Sequence, residues 1–117
     1  MSADEVVALP VRLVSVANLR EHWAAKAKRA RLQREAARVL VARVVPAGSG
    51  AWPVRITITR IAPRALDGDN MQGACKAVRD GIADALGYRD DSHPDLTWAY
   101  AQAKGKAGCT VALEWAL

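Results

Sequence analysis

Apolar and polar residues alternate most sharply between Trp52 and Ile61, where Val54, Ile56 and Ile58 interleave with Arg55, Thr57 and Thr59. A period of two in β-branched residues predicts a strand with Val and Ile on one face and Arg and Thr on the other. The same period predicts a first strand over Val11–Val16, after a loose lead-in at residues 1–10 that ends at Pro10. Two more alternating stretches, Leu96–Ala103 and Cys109–Trp115, flank the turn Lys104-Gly105-Lys106-Ala107-Gly108 and predict a closing β-hairpin. Helical spacing takes over between these segments. From about Leu19 to Val44 the chain is rich in Ala, Arg, Lys, Gln and Glu, with Asn18 as N-cap and Glu21 completing a capping box. Leu32, Ala36, Val39 and Leu40 fall on one stripe of that helix, and Arg31, Arg34 and Arg38 on another. Pro46-Ala47-Gly48-Ser49-Gly50 ends it. Met71, Ala74, Cys75, Val78, Ile82, Ala85 and Leu86 define a second helix, which Gly87 stops. The order β-α-β-α-β-β predicts a single α+β domain over 1–117, with two main helices on a small mixed β-sheet.

Composition narrows the class. At 117 residues, with 51% hydrophobic and 25% charged residues, the chain fits one globular domain and neither a disordered tail nor a membrane protein. No apolar run approaches the ~20 residues needed to cross a bilayer, and the start, Met1-Ser2-Ala3-Asp4-Glu5, is acidic where a secretory signal is basic. A cytoplasmic protein is expected. Cys75 and Cys109 form no CxxC pair and are read as reduced, buried thiols.

Charge changes the picture more. The formal net charge is +5, and Arg20–Arg43 carries eight basic residues (Arg20, Lys26, Lys28, Arg29, Arg31, Arg34, Arg38, Arg43) against Glu21 and Glu35. Such a segment has the electrostatic footprint of a phosphate-backbone binder, and it is also what a well-solvated helix face looks like. Lys26, Lys28, Arg29, Arg31, Arg34 and Arg38 are the candidate DNA contacts.

Seven of the twelve acidic residues crowd into the opposite part of the chain, at Asp67, Asp69, Asp80, Asp84, Asp90, Asp91 and Asp95. An Asp before a helix caps it and suits its dipole, which accounts for one of Asp67 and Asp69 but not both. Carboxylates brought together repel unless a cation neutralises them, and oxygen-only donors suit Mg²⁺, Mn²⁺ or Ca²⁺. An EF-hand is excluded because Met71 holds the fifth loop position. Lys76 lies seven residues after Asp69, close to two helical turns. It either pairs with Asp80 on the surface or faces a transferring phosphate.

The run Leu66-Asp67-Gly68-Asp69-Asn70, followed by Lys76, Asp80 and Asp90-Asp91, resembles the signature of RusA-type Holliday junction resolvases, small dimeric metal-dependent endonucleases of phages and prophages. The element order agrees along most of the chain, and the specific match covers residues 66–91. The resemblance implies that Asp67, Asp69 and Asp91, with Asp90 in reserve, bind Mg²⁺ (or Mn²⁺). It implies that Lys76 is catalytic and that a homodimer cuts four-way or other branched DNA in recombination and repair. The spacing departs from the family: its lysine follows the second Asp by about one turn, and Gly73 stands there here. A different class of reading makes the chain a non-catalytic basic DNA-binding dimer of phage origin. His93 reads as an ordinary loop residue before a metal ligand or general base, Trp23 as core or dimer packing before a base-stacking platform, and Gln102, Lys104 and Lys106 as either DNA contacts or a solvated turn.

Overall fold

In the computed structural model, residues 2–15, 22–45 and 52–116 are described. The expected cap at Asn18 and Glu21 and the turn at 46–50 lie outside them. Seven elements follow in order: β1 (Ser2–Leu9), α1 (Trp23–Ala42), β2 (Trp52–Ala62), α2 (Gly68–Ala74), α3 (Lys76–Leu86), β3 (Trp98–Lys104) and β4 (Gly108–Ala116). The α+β class and a mixed four-stranded sheet are as the pattern predicts.

Two features of the sheet correct the sequence reading. The first strand is β1, inside what reads as a lead-in, and it pairs antiparallel with β4. Its Val7 and Leu9 are buried while Val6 and Ala8 are exposed, so the alternation was present behind an acidic start. Residues 11–15 do bury Leu13 and Ser15, but belong to no strand. Side chains satisfy their carbonyls: Gln33 Nε2 donates to the Arg12 carbonyl at 2.8 Å and Arg60 Nε to the Leu13 carbonyl at 2.8 Å. Backbone polar groups need partners, and these need not come from a ladder.

The second correction is that β3 and β4 form no hairpin. The sheet order is β1-β4-β2-β3, with β3 parallel to β2 and β4 antiparallel to it. The connection at 105–107 steps over the end of β2: Ile61 pairs with Ala103 on one side and Gly108 on the other, and Gly105 N–H donates to the Ala62 carbonyl at 3.1 Å. A side chain at Gly105 would begin 3.1 Å from Ile61 Cγ2, which favours glycine at this step. β2 is therefore a central strand, as its run of β-branched residues suits.

One face of the sheet carries Ile56, Ile58, Val111, Leu113 and Trp115, all buried, and the helices cover it through Ala37, Val41, Val78 and Ile82. The buried stripe of α1 is Gln33, Ala37 and Val41, one position on from the expected one; Leu32 is 56% exposed. Arg60 shares the parity of Ile56 and Ile58, contrary to the expected split of Arg from Ile. Its guanidinium reaches the carbonyls of Leu13 and Arg64, at 2.8 and 2.6 Å. Cys75 and Cys109 are free and buried, and burial pushes both thiols up to about 12, so they stay protonated at neutral pH.

The helices α1 and α3 meet at Gly81. A Cβ there would lie 2.2 Å from the Arg34 carbonyl oxygen and 2.8 Å from Ala37 Cβ, so only glycine permits this approach. Arg34 then reaches Asp84, one turn on, with paired bonds of 2.7 and 2.9 Å. The predicted second helix is split at Cys75 into α2 and α3. Its end is as expected: Gly87 adopts φ 84° at the C-cap of α3, a left-handed conformation that costs glycine little.

Candidate functional site

The site grows from the break at Cys75. Lys76 opens α3 and does not continue the helix that holds Asp69, so counting turns from Asp69 does not fix where it points. Its Nζ lies 2.7 Å from Asp91 Oδ1 and 3.0 Å from Asp80 Oδ1. Lysine and the second doublet carboxylate thus meet. The bond to Asp91 is the main cause that raises the Lys76 ammonium above its ordinary value, so Lys76 acts as a cation at neutral pH and not as a base.

Asp91 is the most enclosed carboxylate of the motif, its side chain 7% exposed. Burial of a carboxylate is tolerated only where charge and hydrogen bonds compensate. Arg79 Nε stands 3.0 Å from Asp91 Oδ2, close enough for an ion pair but not aligned for a hydrogen bond. Arg79 is held in turn by donation to the Tyr100 hydroxyl at 2.9 Å and by the Trp98 ring, 4.9 Å from its guanidinium carbon. Trp98 Nε1 donates to the Asp91 carbonyl at 2.9 Å. Three residues that sequence reasoning passed over, Arg79, Trp98 and Tyr100, therefore fix Asp91 from α3 and β3. For Arg79 a signal existed, since it falls three residues after Lys76 on one helix face. The roles of Trp98 and Tyr100 depend on β3 lying beside β2, which the hairpin reading hid.

Asp67 and Asp69 live differently. Asp67 is the N-cap of α2, its Oδ1 accepting from Asn70 N–H at 3.1 Å, and Asp69 is exposed in the first turn. The approach to Asp67 is held by Gln102, whose amide brackets Leu66: Oε1 accepts from its N–H and Nε2 donates to its carbonyl, both at 2.7 Å. Gln102 thus positions the start of α2 from the edge strand β3. Asp90 accepts from Ser92 N–H at 2.9 Å, and this serine, chiefly through its hydroxyl, holds the Asp90 carboxyl below its ordinary range.

The donor chemistry suits a hard cation, but the arrangement does not complete a metal site. Among the described residues no three His, Cys, Asp or Glu side chains gather to hold an ion. Asp91 is instead compensated by Lys76 and Arg79. His93 is a loop residue whose Nδ1 accepts from Asp95 N–H at 3.1 Å, with its ring beside Tyr88.

The basic helix divides in two. Arg34 is engaged with Asp84 and Arg38 with Glu35 on its own helix. Lys26, Lys28 and Arg31 are exposed on the N-terminal half, and Lys26 and Arg29 line a cleft that they share with Lys76 and Asp80. Lys104 and Lys106 are exposed at the far turn. His22 caps α1 through Nδ1, and Trp23 is 76% exposed, so it is not a core residue. Among the described residues no helix is long and apolar enough to cross a membrane. No family model matches the chain, and no curated protein matches it either.

Proposed function

We propose that the chain is an endodeoxyribonuclease of the RusA type, which acts as a homodimer on four-way and other branched DNA in the cytoplasm of a bacterium or its prophage. The supporting observation is the meeting of Lys76 and Asp91 at 2.7 Å, beside a cleft whose opposite wall carries Lys26 and Arg29. A protonated lysine near a phosphodiester stabilises the negative charge that builds up as the bond breaks. Asp91, Arg79 and Trp98 set where that ammonium stands. Lys26, Lys28, Arg29 and Arg31 supply phosphate contacts, which give strong salt dependence and little sequence readout. Arg34 and Arg38 contribute less, being paired within the protein. A twofold dimer provides one site for each of the two strands to be cut. Mg²⁺ or Mn²⁺ dependence, with Asp67, Asp69 and Asp91 as the ligands, rests on the family resemblance.

A second reading draws on the same pairing. Asp91 already neutralised by two cations suits a non-catalytic DNA-binding dimer in which the acidic residues are structural. Incubation with a synthetic four-way junction and Mg²⁺, beside an Asp69→Asn variant, separates the two. The nuclease reading expects paired nicks from the wild type and none from the variant, with binding kept by both. Binding without cutting on any branched DNA leaves the second reading.

A further inference from the structure

We propose that the cleft between α1 and the α2–α3 junction receives one unpaired nucleotide of the DNA, base inward and phosphate at the rim; this rests on the branched-DNA reading and gives it a recognition element. The cleft has a volume of about 410 Å³, within the ~300–1,000 Å³ typical of small-ligand sites. Its lining combines apolar and charged side chains. Val14, Ala30 and Ala77 supply apolar surface, and no aromatic side chain is among the described lining residues.

Around this surface stand Lys26, Arg29 and Lys76, and among the described lining residues one carboxylate, Asp80, which is bonded to Lys76 at 3.0 Å. Lys76 is also bonded to Asp91 at 2.7 Å, so three cations meet two carboxylates, and the net positive charge favours a phosphate. Gln33 adds a fixed amide, held by its donation to the Arg12 carbonyl at 2.8 Å. A guanidinium plane such as that of Arg29 can stack on a base.

The concavity decides between duplex and single strand. A stacked duplex offers only its phosphate ridge to a cleft, so its bases never reach an apolar floor. A base already unpaired at a branch point costs little to turn outward, and it brings a flat apolar face together with an attached phosphate. The occupant that satisfies both floor and rim is therefore a nucleotide at a discontinuity in the helix. Selection of branched over linear DNA then arises partly in each protomer, in addition to any arrangement of arms across a dimer.

Gly73 gives the test. It lines the cleft, and a Cβ built there meets nothing within 4 Å, so a side chain can begin there and Gly73→Leu adds bulk to the cleft lining. Leu also favours the helix over Gly, so the thermal midpoint of the variant should not fall. Affinities are measured in EDTA for a duplex with one unpaired nucleotide and for the same duplex fully paired. The expected result is a preference of tenfold or more for the unpaired DNA in the wild type, reduced below twofold in Gly73→Leu. Lys26→Glu should weaken both DNAs together. Equal affinities in the wild type, or a preference that survives Gly73→Leu, overturns the cleft assignment. If the wild type still cuts a four-way junction in Mg²⁺, the nuclease reading stands without it, whereas failure to bind either DNA removes both.

Discussion

Asp91 and Asp69 look alike in the sequence, each the second aspartate of a short acidic motif, and they occupy opposite environments. The Asp91 carboxylate is buried and answered by Lys76 and Arg79, while the Trp98 indole donates to the backbone carbonyl of the same residue. Asp69 stands in water in the first turn of a seven-residue helix. The difference lies in what surrounds each: Asp91 follows a helix fastened to α1 and borders β3, whereas Asp69 lies on α2, held at its entry by Gln102. The fold closes on Asp91 and leaves Asp69 open to water. The two kinds of position should therefore respond differently to mutation.

The largest effect should come from unfastening the enclosed end. Gly81→Ala puts a methyl 2.2 Å from a backbone oxygen of α1, which cannot move aside as a side-chain tip can. Overpacking of a tight crossing costs ~1–3 kcal/mol, and this site belongs at the top of that range. Urea denaturation should report a loss of about 3 kcal/mol; an unchanged midpoint would mean that α1 and α3 are not in this close contact.

Next comes Asp91→Asn, which keeps the shape and removes the charge. Leaving a cation without its buried partner costs ~3–5 kcal/mol where the pair is fully enclosed. Lys76 is 59% exposed and regains water, so about 2 kcal/mol is the expectation here. An additional Lys76→Met change should recover part of this loss, because one stranded charge goes with it. Independent, additive losses would show that Lys76 and Asp91 are not coupled.

At the open end, Asp67→Ala removes the cap of α2 and should cost about 1 kcal/mol. Asp67→Ser should restore most of it if capping is the role of Asp67 in stability. An intermediate case is the Arg34–Asp84 pair, bidentate but exposed, for which up to ~1 kcal/mol is expected. The hydrogen bond from Arg34 holds the Asp84 carboxyl below its ordinary value. Its contribution is thus present above the unfolded carboxylate value, about 3.9, and is lost as pH falls through the lower folded value. Arg34→Met should flatten that part of the acid limb, and an acid limb identical to that of the wild type would exclude the pair as its source.

The contrast between the two ends also explains what could be read in advance. Patterns that depend on neighbours in sequence were legible: the alternation of β2 and β4, the stop at Gly87, the spacing that sets Lys76 and Asp80 four apart. Features that depend on which strand lies beside which were not. The hairpin expectation failed because a short turn and two alternating stretches look the same whether the second strand pairs with the first or steps over β2. That error concealed Trp98 and Tyr100 behind Asp91. The break at Cys75 was hidden for a related reason, since Met71, Ala74, Cys75 and Val78 keep a buried face across it. After this break Lys76 opens α3, from which it reaches Asp91.

The smallest effect on stability, and the sharpest test of the contrast, belongs to Asp69→Asn. An exposed residue in a first turn loses little more than a favourable charge near the helix N-terminus, ~0.5 kcal/mol or less. Thermal midpoints of variant and wild type should therefore nearly coincide. If the open end of the segment is kept open for chemistry, cutting of a four-way junction should nevertheless fall a hundredfold or more, while the affinity for the junction persists. A variant that cuts as well as the wild type would make Asp69 an ordinary first-turn acid. Asp91→Asn is the counterpart at the enclosed end: it should lower both stability and cutting, and cutting measured well below its melting temperature separates the proposed chemical role of Asp91 from its part in the fold.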